Sequence, residues 1–242
     1  MKSTKTIHTS RTIMFSELEK VMDYSLESNN FQESLDNNVI GKKSADGIKK
    51  TTNFLKILYG FDNQSKPFKA FKYFWKIAEE NEKPLLSILY AIGNDYLLEE
   101  SIPILAETKL GDKVLIEKIE QNIELHHLNR YSPKSLRSMA QNIASSWKQA
   151  AFITGKVKNI RTQPKISPNV LAFAFFMSFL NGDRGDFILS SKWVKALFLN
   201  ESSLRALAIE ASKRDLFQYQ YGGNVTSISF SNLITKLDMN AI

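Results

Sequence analysis

Apolar residues recur at three- and four-residue spacing through most of positions 16–180, the signature of helices with one buried face. Ser16 is placed to cap a helix through Ser25, with Leu18, Val21, Met22 and Leu26 on one side, and a short helix follows over Phe31 to Leu35. Ser44 starts a longer helix whose apolar side holds Ile48, Phe54, Leu55 and Leu58, ended by Gly60. Phe68, Phe71, Phe74 and Trp75 then form a stripe with Lys69, Lys72 and Lys76 outside it, which reads as core rather than as a stacking surface for bases. Pro84 opens a helix from Leu85 to Leu98 that is apolar on most sides, and Gly111 to Glu124 reads as an acidic amphipathic helix. Two Ser-Pro pairs, Ser132-Pro133 and Ser167-Pro168, each combine an N-cap with proline at the first helical position. The first starts a helix to about Phe152, with Leu136, Met139, Ala140, Ile143 and Trp147 inward; the second starts an almost wholly apolar helix to Leu180.

The pattern changes period after Asp183. Phe187-Ile188-Leu189 reads as a short strand, Ser191 to Leu197 as a short helix, and Ser203 to Ala208 as the start of a second helix after the turn Asn200-Glu201-Ser202. Leu216 to Tyr221 and Val225 to Phe230 alternate like strands, joined by Gly222-Gly223-Asn224. Helix, helix and hairpin in this order predict a winged helix-turn-helix. A partial repeat, Ser135-Leu136-Arg137-Ser138-Met139-Ala140 against Ser203-Leu204-Arg205-Ala206-Leu207-Ala208, suggests two related units. The expected fold is therefore mainly α, with a multi-helical N-terminal domain (1–130), a basic helix–strand segment completing it (131–165) and a winged-helix-like domain (166–242).

Charge narrows the choice of partner. The net charge is +7 over 242 residues, and it is segregated. Residues 41–76 carry nine Lys against Asp46 and Asp62, residues 77–124 carry eleven acids against four Lys, and residues 125–182 carry eight Lys or Arg and no acid. An acid-free stretch of that length favours a polyanionic partner, double-stranded DNA, held through its phosphates. The residues expected to make the contacts are Lys134, Arg137, Gln141, Lys148, Lys156, Lys158 and Arg161 on the helix and the alternating basic strand after it. Arg205, Lys213 and Arg214 join them from the second helix of the C-terminal unit. The wing residues Tyr219, Tyr221 and Asn224 carry no cation, and Ile209 with Glu210 suits a protein contact. A protein–protein adaptor or scaffold subunit is the competing reading.

Other chemistry is thinly represented. There is no cysteine, so no disulfide or thiolate zinc site, and a reducing compartment is expected. Met1 to Thr12 lacks an apolar h-region and Val170 to Leu180 is too short for a membrane span, so a cytoplasmic protein with no membrane partner is expected. His126-His127 are adjacent, without a third ligand at suitable spacing, and read as helix-end residues. Asp183 and Asp186, the carboxylates a metal nuclease would use, fit more simply in a Gly-Asp turn. With no phosphate-loop, dinucleotide or nucleophile-elbow motif, no catalytic residue, metal or cofactor is expected.

Several short segments of the first 165 residues carry a family likeness. They are Thr9-Ser10-Arg11-Thr12 with Phe15-Ser16-Glu17-Leu18, Asn38-Val39-Ile40 to Lys43-Ser44, Leu89-Tyr90-Ala91-Ile92 to Asp95 with Leu97-Leu98, Tyr131-Ser132, and Ala151-Phe152-Ile153. In these the chain resembles the small BrxA-type proteins of bacterial BREX phage-defence systems. The resemblance implies a helical, non-catalytic DNA-binding accessory protein acting beside other defence-system subunits; the adaptor reading allows a homo-oligomer. It carries no catalytic residue, and the C-terminal winged-helix-like unit departs from it.

Overall fold

The computed structural model describes residues 5–223 and 225–239. It is mainly helical, with two small antiparallel hairpins. In chain order the elements are α1 (Phe15–Ser28), α2 (Phe31–Asp36), α3 (Ala45–Tyr59), α4 (Lys66–Lys76), α5 (Lys83–Asn94), α6 (Tyr96–Glu100), α7 (Ile102–Glu107), α8 (Ile116–His126) and α9 (Pro133–Gln149). There follow β1 (Ile153–Thr154), β2 (Ile160–Arg161), α10 (Pro168–Leu180), α11 (Asp186–Leu189), α12 (Lys192–Lys195), α13 (Glu201–Lys213), β3 (Gln218–Gly222), β4 (Val225–Ser229) and α14 (Ser231–Lys236). Among the described residues, no helix is long and apolar enough to cross a membrane.

Capping chemistry explains where the longer helices begin. The Ser44, Ser132 and Ser167 side chains accept from the backbone N–H of Gly47, Ser135 and Val170, and the Asn200 side chain accepts from Ser203. Each satisfies one of the N–H groups a first turn leaves without a partner. Ser16 is not a cap: α1 begins one residue earlier, behind Met14 in a left-handed conformation, and the Phe15 N–H donates to the Gln149 side chain instead.

The chain divides into two units, one of residues 5–61 and 90–164 and the other of residues 62–89 and 165–239, with the boundary inside α5 after Leu89. Residues 62–89 join residues 165–239 in one unit. The physical reason is the α4 stripe: Phe71 and Phe74 lie 5.9 and 5.4 Å, ring centre to ring centre, from Phe173 on α10. The Asn169 side chain, one turn earlier on α10, donates to Glu82 at 2.9 Å in a buried contact.

In this unit α10 is the core, buried at every position from Pro168 to Phe179, and it packs on α4, α12 and α13. Phe176 and Phe179 meet Phe230 at 4.9 and 5.1 Å, and Phe217 meets Phe175 and Phe230 at 5.5 and 5.3 Å. These aromatics fix the β3–β4 hairpin, paired from Gln218–Ser229 to Gly222–Val225, against the helix. The expected strand at Phe187-Ile188-Leu189 is a correction: these residues lie in the one-turn helix α11. Three apolar residues are too few to set a period, and behind Gly185 (φ +54°) only Ile188 turns inward while Phe187 is 75% exposed.

The other unit is organised on α9. Its apolar side buries Met139, Ala140, Ile143 and Trp147, and Ile119 and Ile123 of α8 are buried on the neighbouring helix that packs with it. A polar stripe on the same helix, Asn142, Ser146 and Gln149, binds the segment before α1: Asn142 donates to the His8 carbonyl, Ser146 Oγ accepts from the Ile13 N–H, and Gln149 bonds Thr12 Oγ1 and the Phe15 N–H. The Tyr59 hydroxyl donates to the Ile13 carbonyl at 2.6 Å.

Candidate nucleic-acid interface

In the unit built on α9, residues 111–114 run antiparallel to β2. Val114 N–H donates to Asn159 O at 2.7 Å, Arg161 N–H to Asp112 O at 2.8 Å and Gly111 N–H to Arg161 O at 2.9 Å. The local order is then an extended segment, α8, α9, β1, a tight loop and β2 returning beside the first segment. The loop tip is Lys156-Val157-Lys158, with both lysines exposed and Val157 90% exposed. Gly155 sits at φ +94°, where a Cβ would fall 2.2 Å from the Lys158 carbonyl oxygen. Only glycine fits there without moving the tip. Gly155→Ala is accordingly expected to destabilise the protein by ~1–3 kcal/mol and to broaden the amide signals of residues 155–159; an unchanged melt and spectrum would refute this.

The expected contact residues separate into three sets. Lys134, Gln141, Lys156 and Lys158 are exposed and Lys148 is half-buried, and among the described residues none of the four lysines has a carboxylate partner. Lys213 and Arg214, at the end of α13 in the other unit, are likewise exposed and unpaired among the described residues. The remaining three have partners within the protein. Arg137 is bridged to the acidic helix α8, its Nη1 at 2.8 Å from Glu117 and 2.9 Å from Glu120. The hydrogen bond from Arg137 holds the Glu117 carboxyl below the usual carboxylate range. Arg161 is only 3% exposed and donates to the backbone carbonyls of Leu105, Phe152 and Thr162. Burial pushes its pKa down. The alternation expected from Lys156 onward fails because the loop turns there and only Ile160–Arg161 is strand, so Arg161 faces inward.

Arg205 is the third. It binds Glu201 at 2.7 Å, the Tyr219 hydroxyl at 2.9 Å and Thr226 Oγ1 at 3.0 Å, lies 3.6 Å from Asp186, and stacks 3.7 Å from the centre of the Tyr221 ring. It ties α13 to the hairpin and to α11. The hairpin tip beyond it is uncharged: Tyr221 is 50% and Val225 68% exposed, while Asn224 lies outside the described residues. On α13, Leu204, Ala208 and Ala211 are buried, Leu207 is half-buried and Ile209 is exposed.

The titratable clusters do not converge. His126 Nδ1 faces the Asn122 carbonyl and His127 Nε2 faces Glu100, each at 2.8 Å. Asp183 accepts from Ser178 Oγ at 2.7 Å, whereas Asp186 accepts from Thr226 Oγ1. Among the described residues, no group of three or more His, Asp or Glu is placed to hold a metal ion.

One constellation gave no signal in the sequence. His8 Nε2 lies 2.8 Å from Ser146 Oγ and His8 Nδ1 lies 2.8 Å from Asp95 Oδ2. That is the atom order of a hydrolytic triad. All three residues are 0% exposed, however, and Ser146 Oγ also contacts the Ile13 N–H and the Asn142 carbonyl. No substrate carbonyl reaches such an oxygen, so the arrangement is a buried latch for the segment before α1. His8 stands 87 residues from Asp95 and 138 from Ser146 in the chain, beyond any local motif. No protein-family model, curated protein or solved structure matches the chain.

Proposed function

We propose that this protein binds double-stranded DNA without catalysis, through a winged-helix arrangement of residues 102–161. In this reading α7, the extended segment 111–114, α8, α9 and the β1–β2 hairpin play the successive parts, α9 is the presented helix and Lys156-Val157-Lys158 is the wing. What carries it is the set of unpaired lysines, Lys134, Lys148, Lys156 and Lys158, on one helix and the loop after it. Contacts of this kind neutralise phosphates and do not read sequence. The C-terminal helix–helix–hairpin order is a second winged-helix arrangement whose wing is uncharged. The BrxA-type resemblance adds a role as an accessory subunit in phage defence, in the cytoplasm.

The test is a salt titration of binding to unrelated duplexes. The triple change Lys148→Gln, Lys156→Gln, Lys158→Gln is expected to flatten the slope of log affinity on log salt by about 2.7, at ~0.9 per phosphate contact. Duplex binding with an unaltered slope in this variant would end the assignment.

A second reading, docking of a protein partner by the C-terminal unit, has its own observation. Phe187, Tyr221, Val225 and Ile209 are exposed apolar residues on α11, the hairpin and α13. Light scattering against concentration, with Phe187→Ser as the comparison, distinguishes self-association through them from a monomer.

A further inference from the structure

The segment Ser10-Arg11-Thr12 and the start of α3 line a cavity of about 430 Å³, together with Met14, Glu17, Lys42, Thr51 and Asn142. We infer that this cavity binds a phosphate group. The inference is independent of the duplex contacts proposed above: none of Lys134, Lys148, Lys156 and Lys158 lines the cavity.

Three observations carry it. First, Arg11 is half-buried, its guanidinium lies 5.3 Å from the centre of the Phe54 ring, and Nη1 donates to the Ser10 carbonyl. A guanidinium has five N–H donors, and among the described residues the other four have no acceptor. The contact with Phe54 restrains the guanidinium and leaves its N–H fork for bidentate binding of a phosphate. Second, Thr51 is only 4% exposed and lines the cavity, yet among the described residues its hydroxyl has no hydrogen-bond partner. A hydroxyl that makes no hydrogen bond within the protein and lines the cavity is left to donate to a ligand oxygen. Third, the cavity opens at the first turn of α3, a helix of 15 residues, where the helix dipole favours an anion.

Lys42 adds a second cation, held at 2.8 Å by Glu17. Glu17 is the one acid in the lining, so the lining charge is +1 from Arg11, Lys42 and Glu17. Its pairing with Lys42 keeps that carboxylate occupied while the Arg11 fork remains open. A phosphate ester accepting from Arg11 and Thr51 would satisfy both.

The phosphate could belong to a free mononucleotide or to a nucleic-acid backbone, and the experiment separates them. The full-length protein is titrated calorimetrically with inorganic phosphate, with adenosine 5′-monophosphate and with a random-sequence duplex. Arg11→Gln and the isosteric Thr51→Val are run alongside, with thermal melts confirming that both fold. Saturable binding of phosphate or the mononucleotide, weakened roughly tenfold or more in each variant, is expected. A backbone source also lowers the salt slope of duplex binding by ~0.9 in Arg11→Gln; a free ester leaves that slope unchanged. No saturable binding of either small probe with an unchanged duplex slope overturns the inference, as does binding that survives Arg11→Gln. Mononucleotide binding by a protein that ignores duplex would keep this site and remove the DNA reading.

Discussion

Asp95→Ala is expected to lower the melting temperature by roughly 6–20 °C, from a loss of ~3–5 kcal/mol. Few side chains in the protein hold as much together. Asp95 caps α6 by accepting from the Leu98 N–H at 3.1 Å, and its Oδ2 accepts from the Ile7 N–H at 2.7 Å. Both of its oxygens accept from Thr6 Oγ1, at 2.9 and 3.0 Å, and His8 stands at 2.8 Å. Removing the carboxylate leaves buried N–H donors and the His8 ring without their acceptor. The penalty is the desolvation of several polar groups at once, beyond the loss of one cap. A melt within a degree or two of the wild type would show that the latch contributes no stability.

The same residue sets an acid limit. Burial works to raise the Asp95 pKa, but the charge and hydrogen bond of His8, with the Ile7 and Leu98 N–H groups, outweigh it and hold the value below the ordinary carboxylate range. A carboxyl depressed in the folded state stabilises it above its unfolded pKa of ~3.9, and that stability is lost as pH falls through the folded value. Asp95→Asn should therefore cost stability near neutrality and flatten the fall in urea midpoint below about pH 4. A variant whose acid limb is as steep as the wild type's would place that titration elsewhere.

Helices with a cap and a one-sided apolar stripe were legible in the residues, because both signals are local. Ser132 and Ser167 mark true starts, and the Phe68-Phe71-Phe74-Trp75 stripe is core at 0–1% exposure. The β3–β4 hairpin was legible for the same reason, with Gly222 and Gly223 between alternating strands. Orientation was less so. Arg161 follows two exposed lysines in an alternating run, but the tight loop at Gly155 resets the alternation and turns its guanidinium onto three backbone carbonyls. Arg137 and Arg205 sit at outward positions of their helices, and their acids come from α8 and from Glu201 and Asp186. A residue's net charge is written in the sequence; its pairing depends on which helix comes to lie beside it. The Arg11–Thr51 cavity and the His8–Asp95–Ser146 latch are assembled from segments far apart in the chain, so neither has a local signature.

Phe173→Ala tests the least legible feature, the joining of residues 62–89 to residues 165–239. Phe173 is 0% exposed in the middle of α10, its ring in contact with those of Phe71 and Phe74 of α4. Truncation removes an aromatic side chain from a close-packed site and leaves a cavity that two helices must collapse to fill, a loss of ~3–5 kcal/mol. The location of the damage matters more than its size. If α4 and α10 form one cooperative unit, hydrogen exchange should speed up in Lys66–Lys76 and Pro168–Leu180 together, although only one of them carries the substitution. Faster exchange confined to α10, with α4 as protected as before, would mean that α4 draws its stability from the residues beside it in sequence. The aromatic contacts argue otherwise: the stripe on α4 presents Phe71 and Phe74 to α10, and Glu82, six residues after the end of α4, takes the Asn169 hydrogen bond. A segment that commits Phe71 and Phe74 to a distant helix has less left to stabilise it alone.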